Sequence, residues 1–209
     1  MIKRVICIFL CMIILVFSII SLASCASSEA PELDGIKERL VYLIEESKSL
    51  NVLFFGKGLP VYRSDSELAD RKMVYLNVSY ETQGYDRSME NSSYSSIDEI
   101  KAAAKAVFSK DYSEEIFESA IDGIMIGETS AYVRFYDNGE WLLQNKNIND
   151  FKVEERIYDY STMKIIEPSD ASYINVSVET YSIADNQRRV VYLSFSFENG
   201  NWYLDSPTY

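Results

Sequence analysis

The sequence predicts an α+β domain, with N-terminal amphipathic helices packed on a C-terminal antiparallel sheet in a cone- or cystatin-like arrangement. Three observations predict it. Apolar residues recur at three- and four-residue steps through Ile121, the spacing of one helical face. After residue 125 the apolar period falls to two, the alternation of a half-buried strand. Two turn signals, Asp137-Asn138-Gly139 and Asn199-Gly200, sit between alternating segments and join them as hairpins. Helices followed by a strand meander place the helices on one face of an antiparallel sheet.

Taken in order, Asp34 stands where a helix cap is expected. Ile36, Leu40, Leu43, Leu50 and Phe54 then form an apolar stripe, with Ser47 filling its gap. Gly56 is the expected stop, and residues 56–60 read as a loop. Val74, Leu76, Val78 and Tyr80 alternate with Tyr75, Asn77, Ser79 and Glu81 as a strand, and residues 83–93 read as a loop. Ser96 with Glu99 makes a capping box for a second helix carrying Ile97, Ile100, Ala104, Val107 and Phe108 on one side. A third, short helix is expected over residues 113–121 through Ile116, Phe117, Ala120 and Ile121. Residues 130–136 and 140–144 flank the first hairpin signal. Ile174, Val176 and Val178 line one later strand, and Val191, Leu193, Phe195 and Phe197 the next. Trp202 and Leu204 return after the second turn.

The start of the chain is of a different kind. Lys3 and Arg4 precede an apolar run over residues 5–20, and Ser21, Ala23 and Ser24 then turn small and polar. A secretory signal has a cationic start, an apolar segment of roughly 7–15 residues and a small-residue cleavage site. Leu22, Ala23, Ser24 and Cys25 supply an aliphatic residue, two small ones and a cysteine, and here the chain resembles bacterial lipoprotein precursors. The resemblance implies cleavage before Cys25 and a diacylglyceryl group on its thiol. Each buried methylene contributes about 0.8 kcal/mol, so two or three acyl chains make a durable tether. An uncleaved transmembrane anchor and ordinary cleavage to a free protein are the alternatives. On the lipoprotein reading residues 1–24 are a signal peptide and residues 25–33 a lipidated cysteine and tether. Residues 34–209 are then a single α+β domain at the extracytoplasmic face of the cell membrane.

Composition narrows the chemistry. The formal charge is −12, and loss of Lys3 and Arg4 takes it two units further. Such a surface repels nucleic-acid backbones and suits basic partners, so no nucleic acid is expected. Of the three cysteines, Cys7 and Cys11 fall in the signal and Cys25 carries the lipid, which leaves the domain without disulfides. The chain has no histidine. Ser-His and Cys-His nucleophilic sites and zinc-histidine sites are thereby excluded. No cofactor and no metal are expected, and the domain reads as a binder and not an enzyme.

Each candidate for chemistry has a plainer explanation. Ser161-Thr162-Met163-Lys164 matches the S-x-x-K nucleophile motif of penicillin-recognising enzymes, but no K-T-G accompanies it and its surroundings are strand-like. Glu114, Glu115 and Glu118 are placed in the first turns of a short helix, where negative charge suits the dipole. Glu154 and Glu155 point to opposite faces if extended. Asp137-Asn138-Gly139-Glu140 is too short for a calcium loop and reads as a turn. Tyrosine occurs sixteen times, and Tyr75, Tyr173, Tyr181 and Tyr192 alternate outward from the strands. They are the candidate partner-binding surface, since tyrosine is enriched at interfaces. The plainer reading is that they are good strand formers on a partly packed face.

Two segments carry a further likeness. Tyr94, Ser96-Ile97-Asp98-Glu99-Ile100-Lys101, Val107-Phe108-Ser109 and Tyr112 resemble the central helix region of the bacterial DL-endopeptidase inhibitor (IseA) family. The ending Asn199-Gly200-Asn201-Trp202-Tyr203-Leu204-Asp205-Ser206-Pro207 is similar to that family's C-terminal hairpin and to related lipoproteins. The resemblance implies non-covalent inhibition of a cell-wall hydrolase, with an acidic body occluding a basic cleft. It transfers no functional residue, and the inhibitor that it points to is secreted free, whereas this chain is tethered. The expected function is a lipid-anchored extracytoplasmic binding protein with a protein partner, an inhibitor of cell-wall endopeptidases in its most specific form. The alternatives are a small-ligand module of nuclear-transport-factor-like shape and a carboxylate-dependent hydrolase.

Overall fold

A computed structural model describes residues 29–61, 85–123, 125–126, 129–130, 133–137, 139, 141–145 and 153–209. The signal segment, Leu22 to Cys25 and the strand expected around Tyr75 lie outside the described residues. The fold is α+β, with the long N-terminal helix preceding the sheets.

Helix α1 (Leu33–Phe54) buries the predicted stripe: Leu40, Leu43, Ser47, Leu50 and Phe54 face inward, with Ile36 half-buried. Asp34 is not its cap. The cap position falls two residues earlier, at Glu32, and Asp34 lies in the first turn, where its charge suits the dipole. Gly56 follows as a stop, but by close approach and not by a left-handed backbone. A Cβ there would meet the Val52 backbone at 3.1 Å. The last turn holds no basic residue. The buried Arg134 supplies one from afar, donating from Nε to Leu53 O at 3.0 Å and from its other arm to Gly56 O.

Residues 83–93 are not all loop. Tyr85–Arg87 forms strand β1. Helix α2 (Ile97–Val107) is capped by Ser96, whose Oγ accepts from Glu99 N at 3.2 Å. Glu99 answers one residue earlier than a capping box requires, taking Ser95 N at 2.7 Å. Helix α3 (Lys110–Phe117) starts three residues before its predicted start because Ser109 caps it, accepting from Tyr112 N at 3.1 Å. Glu114 and Glu115 therefore lie past the first turn, and Glu118 opens a π turn (Glu118–Asp122).

Among the described residues, strands β2 (Met125–Ile126) and β3 (Thr129–Ser130) pair only with each other. Ser130 thus belongs to a separate ladder, and the strand entering the hairpin is β4 (Phe135–Asp137). It pairs antiparallel with β5 (Leu142–Asn145), as the turn signal predicts, and β5 pairs on its other side with β1. Asp137 Oδ1 accepts from Gly139 N at 2.8 Å, a local contact of the turn kind, while Asn138 and Glu140 lie outside the described residues.

The larger sheet runs β6 (Arg156–Ile166), β7 (Tyr173–Ser182), β8 (Gln187–Glu198), β9 (Asn201–Leu204), all antiparallel. Asn199 and Gly200 adopt φ of 51° and 85°, the pair of positive values that a two-residue type I′ turn demands. One face of this sheet meets the helices. Ile174, Val176, Val178, Leu193, Phe195, Trp202 and Leu204 share a buried cluster with Leu40, Leu43 and Ile44 of α1 and Ile100, Ala104 and Phe108. Phe197 departs from its expected place. It is 43% exposed and packs on Trp202 at 5.1 Å. The β9 edge is covered: Phe108 bridges Leu204, Ser109 N donates to Leu204 O at 2.8 Å, and Arg39 Nε donates to Trp202 O at 3.1 Å.

The gap in the α1 stripe has a partner that is remote in sequence. Ser47 Oγ donates to Ile44 O at 2.7 Å and stands 2.6 Å from Thr208 Oγ1. Tyr158 OH donates to Thr208 O at 2.7 Å, and Tyr209 stacks on Phe55 at 4.8 Å. Polar contacts at Thr208 and the stacked Tyr209 therefore hold the last two residues against the helix.

Candidate functional site

Strand alternation decides what the outer face of the larger sheet carries. Ile174, Val176 and Val178 point to the helices, so Tyr173, Asn175, Ser177, Glu179 and Tyr181 point away. On β8 the outward set is Arg188, Val190, Tyr192, Ser194 and Ser196. Register then sets the neighbours. Ile157, Tyr181 and Arg188 form one cross-strand row, Asp159, Glu179 and Val190 the next, and Ser177 with Tyr192 the one beyond.

Three of the four tyrosines singled out from sequence are thus on one face. Tyr192 is 69% exposed, Tyr173 is 37% exposed, and Tyr181 is half-buried, its hydroxyl bonded to Asn186 Oδ1. They do not form one cluster. Tyr173 and Tyr181 are eight residues apart, which is about 26 Å at ~3.3 Å per residue. The residues that sequence reasoning missed are Ile157 and Val190, 56% and 51% exposed beside Tyr181 and Tyr192. The signal for Val190 was available, since an inward Val191 in the next position forces it outward. Ile157 is set outward by its pairing with Tyr181, ahead of the register shift between Asp159 and Lys164 that breaks the alternation of β6 further along.

Around the first row lies a shallow depression of about 320 Å³, with Ile157, Asp159, Glu179, Tyr181 and Arg188 among its lining. Asp159 and Glu179 stand opposite each other, a pairing that costs energy unless charge is offset. The Ser161 hydroxyl and amide hold the Asp159 carboxyl below its ordinary range, and Arg188 adds to this. Ser161 of the S-x-x-K match is an exposed residue on β6, with its Oγ donating to Asp159 at 2.5 Å. It shapes the bulge. Lys164 follows on the same strand, with no helix start beneath the serine.

The other acids are engaged in structure. Glu154 is held below the usual carboxylate range by the Ser182 hydroxyl and by Arg156, whose guanidinium lies 2.6 Å away. For Glu45, desolvation raises the pKa, but hydrogen bonds from Lys48 and Tyr160 outweigh it and leave the net shift downward. Tyr158 and Tyr160 stack in parallel at 5.8 Å and tie β6 to α1 through Glu45 and Lys48. Burial pushes the Tyr158 phenol up to about 12, so it is a fixed hydrogen-bond donor at neutral pH.

Among the described residues, no helix is long and apolar enough to cross a membrane. Compared with protein-family models and with curated proteins, the sequence matches none.

Proposed function

We propose that this chain is a lipid-anchored, extracytoplasmic binding domain without catalytic activity, held by Cys25, and that it engages a protein partner through the outer face of its larger sheet. The observation that carries the reading is the exposure of Ile157, Val190 and Tyr192 on one unpartnered face among the described residues. Large apolar side chains held on a rigid sheet lose little entropy on binding and bury area efficiently. Asp159 and Glu179 interrupt the apolar surface, and Arg188 accompanies them, which suits a partner of complementary charge. In its most specific form the partner is a cell-wall endopeptidase whose cleft the domain blocks.

The test mixes residues 26–209 with endogenous wall endopeptidases at low and moderate salt. Inhibition is expected, and the double variant Val190→Ser, Tyr192→Ser should weaken it at least about tenfold with an unchanged melting temperature. No inhibition and no complex at either salt sinks the reading, as does full inhibition by the folded double variant.

A further inference from the structure

A sheet edge with unpaired N–H and C=O groups is a template for another chain, and proteins cover or distort the edges that they do not use. The two edges of the larger sheet differ in this respect. The β9 edge is covered by Phe108, Ser109 and Arg39. On β6 the later half is distorted by the register shift between Asp159 and Lys164. There Thr162 Oγ1 accepts from Glu179 N at 2.9 Å and Asp159 Oδ1 from Ser161 N at 3.1 Å, so side chains serve the irregular backbone. Among the described residues, neither cover nor bulge protects residues 153–158.

Register shows which backbone groups of this stretch are open. Ile183 N donates to Glu155 O at 3.2 Å, which makes Glu155 and Ile183 a hydrogen-bonded pair. Such pairs alternate along an antiparallel ladder, so Ile157 with Tyr181 is the next. The amides and carbonyls of Arg156 and Tyr158 therefore point away from β7. No other segment among the described residues bonds to them.

A half-open cavity of about 480 Å³ runs along this edge, between it and the C-terminal half of α1. Residues 153–158 line it without a gap. Successive side chains of a strand point to opposite faces, so a hollow that meets every residue in turn meets the strand edge-on. Val52 and the Tyr209 ring supply apolar wall across from it. Charged side chains of both signs share the lining, Lys48 and Arg156 with Glu154 and Glu155, so they select no small ion. The backbone does select. Donors and acceptors repeated at strand spacing are matched by another extended chain.

We propose that the open edge of β6 takes up a short extended segment of a protein partner as an added strand. Its main chain bonds to Arg156 and Tyr158, and every second side chain, an apolar one, enters the cavity against Val52.

The probe is the peptide acetyl-Lys-Val-Thr-Val-Lys-amide, its lysines suiting the acidic chain, titrated calorimetrically into the full chain in nonionic detergent micelles. Saturable binding is expected at about 1 mM or tighter. Only alternate amides of an added strand face the sheet. Of two isomers, one N-methylated at the threonine and one at both valines, one should therefore bind at least about tenfold more weakly and the other within about threefold of the parent. By NMR, hydrogen exchange at the Arg156 and Tyr158 amides should slow at least about tenfold with saturating peptide. Val52→Trp, at a position 42% exposed, should fill the groove and abolish binding with unchanged circular dichroism. No saturable heat up to about 10 mM peptide, equal loss in the two isomers, no slowing at Arg156 and Tyr158, or undiminished binding to Val52→Trp would each overturn the assignment. The endopeptidase test above reads Val190 and Tyr192 on the outer face, so either can fail without the other.

Discussion

Replacing glycine by alanine at three positions should give two losses of different size and one gain, because three different physical terms are in play. Gly58 is the severe case. Its φ is +76°, and a Cβ built there would lie 2.0 Å from Gln144 Oε1 and 2.6 Å from Gln144 Cδ. That side chain cannot swing away freely, since Oε1 accepts from Leu59 N at 2.7 Å and Nε2 donates to Lys57 O at 3.0 Å. The left-handed backbone costs an alanine about 1 kcal/mol. Displacing Gln144 removes two hydrogen bonds worth about 1 kcal/mol each and strands a buried donor at about 1–3 kcal/mol. Gly58→Ala should therefore destabilise by roughly 4–6 kcal/mol. At Gly200, φ is +85° but nothing lies within 4 Å of a Cβ, so only the backbone term acts and about 1 kcal/mol is lost. Gly35 sits inside α1 with open space around it and no positive φ. Alanine there should stabilise by about 0.5–1 kcal/mol through helix propensity and a less disordered unfolded chain. Urea denaturation of residues 26–209 followed by circular dichroism reads all three. A Gly58→Ala loss no larger than that of Gly200→Ala would refute the close packing of Gln144 against this loop.

Three further outcomes follow from the same geometry. Thr208→Val keeps the shape but removes the hydroxyl that joins Ser47 and Asn51, and should cost about 1–3 kcal/mol in urea, with hydrogen exchange rising over residues 206–209. The buried Tyr158 titrates at about 12 in the folded protein, against ~10 unfolded, so the folded state holds a proton that the unfolded chain releases. Its contribution is complete below pH ~10 and disappears as pH rises toward 12, with Tyr112 and Tyr160 shifted in the same direction. Absorbance at the phenolate band should then lag the free-tyrosine curve until circular dichroism reports unfolding, and an early, complete titration of all sixteen tyrosines would contradict it. Finally, labelled palmitate should appear on the intact protein and vanish in Cys25→Ala, and label that persists in the variant would remove the tether from the proposed function.

Much of the domain could be read without coordinates, and particular residues show why. The stripe on α1, the Ser96 cap, the Asn199-Gly200 turn and the inward faces of β7 and β8 are all set by neighbours within a few positions. Helical and strand periods, cap chemistry and turn chemistry are local, so residue order is enough to reveal them. The outward placement of Tyr173, Tyr181 and Tyr192 followed from the same alternation.

What sequence order could not reveal depends on residues that are far apart along the chain and close in space. Arg134 closing the end of α1, Gln144 fitted against Gly58, Thr208 filling the gap at Ser47 and Glu198 accepting from Lys110 N at the start of α3 are pairings of this kind. Pairing with Tyr181 placed Ile157 on the outer face, and the last residues folding back on α1 brought Thr208 to Asn51 Nδ2. Periodicity specifies which face of an element is apolar. It does not specify which remote side chain completes a helix end or lines a hollow, because that choice is made only when the elements pack.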